Sequence, residues 1–129
     1  MLRDAFVKFT RELAGTISIR KVSASAVHVN NEAYAHSIVL TPDEILGKWH
    51  DKPVEDLTAA DFSAVLDRKP DLILLGTGPR NVFPPRDLTF AFARLGVGLE
   101  AMDSAAAART FNVLAQEGRR VATVLYLHE

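Results

Sequence analysis

The most regular hydrophobic pattern lies in the C-terminal half of the chain. Leu72-Ile73-Leu74-Leu75 is an unbroken apolar run closed by Gly76, which predicts a strand buried on both faces. Leu88, Ala91, Phe92 and Leu95 then recur at helical spacing, with Gly96 as the C-terminal cap. Val97 to Met102 predicts a second strand. Asp103 or Ser104 caps a second helix whose stripe is Ala107, Phe111 and Leu114, with strong helix formers at Ala105–Ala108 and a stop at Gly118. Val121 to Leu127 predicts the last strand. Strand–helix–strand–helix–strand with short joints implies right-handed crossovers and a largely parallel three-stranded core.

The N-terminal half has a different texture. Between Ile17 and Leu40 the residues are β-branched and alternating. Val27-His28-Val29 leads into Asn30-Asn31, a pair that tolerates left-handed dihedrals, and Ala33 to Leu40 returns as the second arm of a hairpin. With Asn30 and Asn31 as the loop, Val29 pairs with Glu32 and Val27 with Tyr34. His36 then falls on the Val27 and Tyr34 face and His28 on the other. Thr41-Pro42 stops the arm, because proline cannot donate to a ladder. The hairpin is expected to add to the edge of the core sheet or to cover it. Residues 1–14 read as an N-terminal arm or short helix, punctuated by Gly15. Residues 43–57 are irregular and hold Trp49. Thr58 stands three residues before Asp61 as in a capping box, Phe62, Val65 and Leu66 follow at helical spacing, and Pro70 ends that segment. The expected fold is α/β: a three-layer single domain over residues 1–129 with a central mixed sheet, an N-terminal β-hairpin, and a strand-helix-strand-helix-strand core.

Composition narrows the function. With 15 basic and 16 acidic residues the formal charge is −1, so no overall positive field exists to hold nucleic acid or an anionic membrane. Without cysteine there is no disulfide, thiolate zinc site or cysteine nucleophile. Charges punctuate the first residues, and no run approaches the ~20 apolar residues that span a bilayer. These features predict a soluble, cytoplasmic protein with no membrane insertion and no nucleic-acid partner.

Candidate chemistry centres on the loop Gly76-Thr77-Gly78-Pro79-Arg80-Asn81-Val82-Phe83-Pro84-Pro85. Open α/β sheets place ligands beyond the carboxyl ends of their strands. Gly76, Thr77 and Gly78 there would let backbone amides approach a bound group, and Arg80 and Asn81 would bind an anion. The dinucleotide fingerprint is incomplete, since no third glycine follows at the required spacing, and the Gly-Lys-Ser/Thr of a phosphate loop is missing. A tight exit turn stiffened by prolines is the plainer reading of the same residues. Protein docking is the third, with Phe83, which follows no helical or strand period, as an apolar anchor. Trp49, Phe62, Phe90 and Phe92 read as core. His28, His36, His50 and His128 are scattered and predict no metal site. No Gly-x-Ser-x-Gly elbow surrounds any serine, Ser37 included. Asp43-Glu44 and Glu55-Asp56 sit in capping or loop contexts. No catalytic residue and no cofactor is assigned.

Leu72-Ile73-Leu74-Leu75-Gly76-Thr77-Gly78, read with Gly98-Leu99-Glu100-Ala101-Met102-Asp103-Ser104 and with Ala107, Arg109, Thr110, Phe111 and Asn112, resembles a known family. It is the small domain-of-unknown-function family that includes a mitochondrial respiratory complex I assembly factor and uncharacterised bacterial and archaeal proteins. Ile38-Val39-Leu40-Thr41-Pro42 and Trp49 fit the same pattern, and the resemblance spans roughly residues 15 to 127. It implies a three-layer α/β fold and a non-enzymatic assembly role toward protein partners, respiratory or other membrane complexes among them. The alternative is a small-molecule or anion-binding protein, enzymatic or not, using the loop at 76–81. Homo-oligomerisation stays open.

Overall fold

The apolar runs of the described chain fall in two sheets, on a helix packed between them, or on helical turns that cover the other face of the larger sheet. The computed structural model describes residues 17–127; the arm or short helix expected over 1–14, Gly15 and His128 lie outside the described residues. Strands β1 (Ile19–Val22), β2 (Val27–Val29) and β3 (Glu32–Tyr34) form a small antiparallel sheet in that order. Strands β4 (Ile38–Leu40), β5 (Ile45–Lys48), β6 (Leu72–Gly76), β7 (Gly98–Met102) and β8 (Val121–Leu125) form the main sheet, ordered β5-β4-β8-β6-β7. The helices are α1 (Ser63–Leu66), α2 (Arg86–Arg94) and α3 (Ser104–Gln116), with 3-10 turns at Val54–Asp56 and Ala59–Phe62. The fold is therefore mixed α/β, as expected.

The parallel core of the main sheet follows its sequence pattern. Strand β6 lies between β7 and β8 and pairs in parallel with both, Leu74 opposite Glu100 on one side and Thr123 on the other. Its alternation sends Leu74 into one core and Ile73 and Leu75 into the other, which is why the run can be apolar without a break. Helix α3 starts where Asp103 Oδ1 accepts the Ala106 N–H at 2.8 Å, and Ala107, Phe111 and Ala115 of its inner face are buried. That face joins Leu74, Val121 and Leu125 of the main sheet to Ile19, Val27 and Val29 of the small one. Phe62, Leu88 and Phe92 fill the other core with Trp49, Ile73, Leu75 and Val124.

The hairpin register holds: Val29 pairs with Glu32 and Val27 with Tyr34. Asn30 takes the left-handed backbone, φ 51°. The second arm, however, is not one strand over 33–40. It breaks at Ala35–His36, and Ile38–Leu40 crosses into the main sheet between β5 and β8. All three of its residues are buried, which suits an interior strand and not a hairpin arm with one wet face. His36 consequently leaves the strand, and its Nδ1 lies 3.0 Å from the Ser37 carbonyl. The pair β4 and β5 builds out the antiparallel edge, and β5 supplies order to the segment expected to be irregular. The hairpin, extended by β1, covers α3.

Two further expectations need correction. Leu95 lies past the end of α2 and is 61% exposed, and Phe90 points away from the sheet at 52% exposure. Helical spacing alone does not say where the covering layer ends.

Leu74→Ala removes a fully buried side chain from an interior strand and is expected to lower the unfolding free energy by about 2–5 kcal/mol, measured by urea denaturation. A loss under about 1 kcal/mol would place Leu74 outside the cooperative core.

Candidate functional site

Strand β6 ends at a junction with three other elements. A Cβ built on Gly76 would stand 2.8 Å from Leu125 Cδ2 and 2.9 Å from Ser104 Cα, so glycine here permits close packing of α3 and β8 against the strand end. The Gly76 carbonyl accepts the Tyr126 N–H at 2.9 Å. The Thr77 N–H donates to the Met102 carbonyl at 2.9 Å, and Gly78, at φ 101°, donates its N–H to Ser104 Oγ at 2.8 Å. Its carbonyl accepts the Ser104 N–H, also at 2.8 Å. Ser104, wholly buried, donates its hydroxyl hydrogen bond to the Tyr126 carbonyl at 2.6 Å. It is held as a structural donor, with no free hydroxyl to offer as a nucleophile.

The rest of the loop is braced by Thr77. Its Oγ1 accepts the Val82 N–H at 2.9 Å and donates to the Arg80 carbonyl at 2.7 Å or the Met102 carbonyl at 3.2 Å. The amides of Thr77 and Gly78 therefore have internal acceptors and do not point at an open cradle. Arg80, Asn81 and Phe83 project from this braced turn into solvent, Phe83 at 78% exposure. Among the described residues Arg80 has no acidic partner within ion-pair distance. Helix α2 opens only at Arg86, too late for its N-terminus to meet a group bound at Gly76–Gly78.

A polar network at the same end of the sheet escaped sequence reasoning. Trp49 Nε1 donates to the Tyr126 hydroxyl at 3.0 Å, which donates in turn to the Lys52 carbonyl at 2.6 Å. Lys52 Nζ reaches Asp61 at 3.0 Å, and His50 Nε2 stands 3.5 Å from the same carboxylate. The His50 ring stacks on Trp49, centroids 4.5 Å apart. Burial would raise the Asp61 pKa, but the Thr58 N–H at 2.8 Å and Lys52 outweigh it and hold the carboxyl below its ordinary 3.8. Burial raises the Tyr126 pKa, the Trp49 donor opposes this, and the charges of Asp61, Asp51 and Glu55 add to the rise, so the phenol stays protonated. A protonated phenol, a paired carboxylate and two committed side-chain donors form a scaffold. The only signal for it in the sequence is the Thr58–Asp61 spacing. Among the described residues no three His, Asp or Glu side chains gather as metal ligands.

The comparisons with known proteins bear on this geometry. The profile of a family described as "Protein of unknown function (DUF498/DUF598)" matches residues 19–126. The chain belongs to that family. It is 27% identical over 99 residues to the "13 kDa major membrane protein" of Francisella tularensis, covering 75% of this chain and 80% of that one. It is 26% identical over 111 residues to the human NADH dehydrogenase [ubiquinone] 1 alpha subcomplex assembly factor 3. The match covers 84% of this chain and 60% of that protein's length. Among solved structures, a Xanthomonas campestris protein is 44% identical with a TM-score of 0.78, covering 87% of this chain and 85% of that one. A Bordetella parapertussis protein is 31% identical with a TM-score of 0.79, covering 87% and 96%. The braced loop and Ser104 fall inside the family match. No helix among the described residues is long and apolar enough to cross a membrane.

Ser104→Ala leaves the Gly78 N–H and the Tyr126 carbonyl unpaired at a buried joint, with an expected cost of about 1–3 kcal/mol in chemical denaturation. Asp61 gives a pH test. Folding depresses its pKa, so its charge stabilises the fold above 3.8 and that contribution is lost as pH falls through the lower folded value. Asp61→Asn is therefore expected to flatten the loss of stability below about pH 4. An acid limb as steep as wild type would show that another carboxylate governs it.

Proposed function

We propose that the chain is a non-enzymatic protein-interaction or assembly factor that docks its partner through the loop at 76–83, with Phe83 as the apolar anchor. The exposure of Phe83, 78%, on a turn whose backbone is tied to β7, α3 and the exit of β8, carries this reading. A turn whose backbone is already ordered up to Val82 loses little further backbone freedom when a partner covers it, and aromatic anchors dominate protein interfaces. The assembly-factor name of the human relative supports the role and suggests respiratory or other membrane complexes as clients. This chain spans 60% of that relative's length, so the client belongs to the proposal too, as does a cytoplasmic site of action.

A second reading places a small anion on Arg80 and Asn81, favoured by the absence of an acidic partner for Arg80 among the described residues. The internal use of the Thr77 and Gly78 amides weighs against it, because an anion site here would rest on the exposed Arg80 and Asn81 side chains alone.

The two readings separate by mutation. With a partner captured stoichiometrically by the wild-type chain, Phe83→Ala is expected to weaken binding by about tenfold or more, while Arg80→Ala retains most of it. Both variants should melt like wild type. If Arg80→Ala abolishes binding and Phe83→Ala does not, the anion reading replaces the docking one.

A further inference from the structure

The end of the sheet opposite the exit loop holds a cleft of about 510 Å³ that neither reading of the loop uses. Three chain reversals wall it: Thr41–Glu44 between β4 and β5, Arg68 and Pro70 after α1, and Gly118–Val121 between α3 and β8. Pro42, Pro70, Ala115 and Val121 give it apolar surface. We propose that this cleft binds a small, multiply charged oxyanion, a phosphoryl or polycarboxylate group on a compact frame, held by Arg119, Arg120 and Arg68.

Arg68, Arg119 and Arg120 line the cleft with Asp43 and Glu44, and Asp71 pairs with Arg120 beside it. Arg119 has no acidic partner within ion-pair distance among the described residues. Its backbone is nevertheless fixed, the N–H donating to the Leu114 carbonyl and the carbonyl accepting the Val121 N–H, both at 3.0 Å. Gly118, at φ 78°, makes the reversal that places it there. Arg120 is anchored by its carbonyl, which accepts the Asp71 N–H at 2.7 Å.

The existing ion pairs leave the site open to exchange. Arg68 Nε lies 2.9 Å from Glu44, and Arg120 Nη2 lies 3.4 Å from Asp71, with all four side chains well exposed. Pairs of this kind contribute about 0–1 kcal/mol each, whereas guanidinium forks bind dianionic oxygens with charge-assisted, bidentate bonds. The Thr41 hydroxyl is occupied by the Asp43 and Glu44 amides, so recognition falls to the arginines. The volume suits a small molecule. Asp43 and Glu44 interrupt the basic surface, which opposes a long polyanion and favours a compact one.

The test is an amide-resolved NMR titration of the full chain at constant ionic strength, with inorganic pyrophosphate and with citrate as separate probes. The expected result is saturable shifts for residues 41–44, 68–71 and 118–121 with one of the probes, at a Kd below about 1 mM. The probe that saturates distinguishes phosphoryl from polycarboxylate chemistry. Arg119→Ala, an exposed change that leaves the fold intact, is expected to weaken that binding by about tenfold. Glu44→Gln should tighten it by about two- to fivefold by freeing Arg68, and Arg80→Ala, at the other end of the sheet, should leave it unchanged. Non-saturating shifts with both probes, shifts centred on the 76–83 loop, or wild-type affinity in Arg119→Ala would each overturn the proposal.

Discussion

Helix α3 approaches the end of β6 so closely that its first residue occupies the space a Cβ on Gly76 would need. That contact sets the geometry of everything at this end of the sheet. It brings Ser104 Oγ between the Gly78 amide and the Tyr126 carbonyl, joining the ends of β6 and β8 through one buried hydroxyl. A buried hydroxyl with both its donor and an acceptor position used is costly to replace, since the buried Gly78 N–H then loses its acceptor with no water to take its place. The chain beyond Gly78 is thereby launched in one direction, and Thr77 holds the turn that follows.

The stiffness of that turn has a functional consequence. Glycine-rich loops after buried strands bind anions when their amides are free to point outward. Here two of those amides are committed to Met102 and Ser104, and what reaches solvent is side chain: Arg80, Asn81 and Phe83. The same glycine and threonine content can therefore build either an anion cradle or a rigid presenting loop. The second arrangement suits a docking role, in which side chains are offered from a backbone that is already ordered. The proposed oxyanion cleft lies at the other end of the parallel strands, where side chains and not amides supply the charge. The two surfaces are well separated, so a ligand at one need not compete with a partner at the other.

Much of the fold was legible because its determinants are local. The unbroken run at 72–75, the Asn30–Asn31 turn with its register, and the Asp103 cap each depend on residues a few positions apart, where period and turn chemistry operate. The break at Ala35–His36 was not legible, because Ile38–Leu40 is held by strands whose partners, Lys48 and Leu125 among them, lie in other parts of the chain. The same limit hid Asn112, whose side-chain amide donates to the Ile19 carbonyl at 2.8 Å and accepts its N–H at 2.9 Å. Those two bonds tie the small sheet to α3 across most of the chain's length.

By itself the sequence determined the class of fold, the parallel core around Leu72–Leu75 and the position of the loop that follows it. Periodicity, caps and glycine placement are short-range properties and survive without knowledge of neighbours. Only the tertiary structure decided that the Thr77 and Gly78 amides are spent internally, that Trp49, Tyr126, Lys52 and Asp61 form one network, and that Arg68, Arg119 and Arg120 share a cleft. Each of these depends on hydrogen bonds or convergence between segments far apart in sequence. Spacing along a chain carries no information about such distances until the sheet order is known.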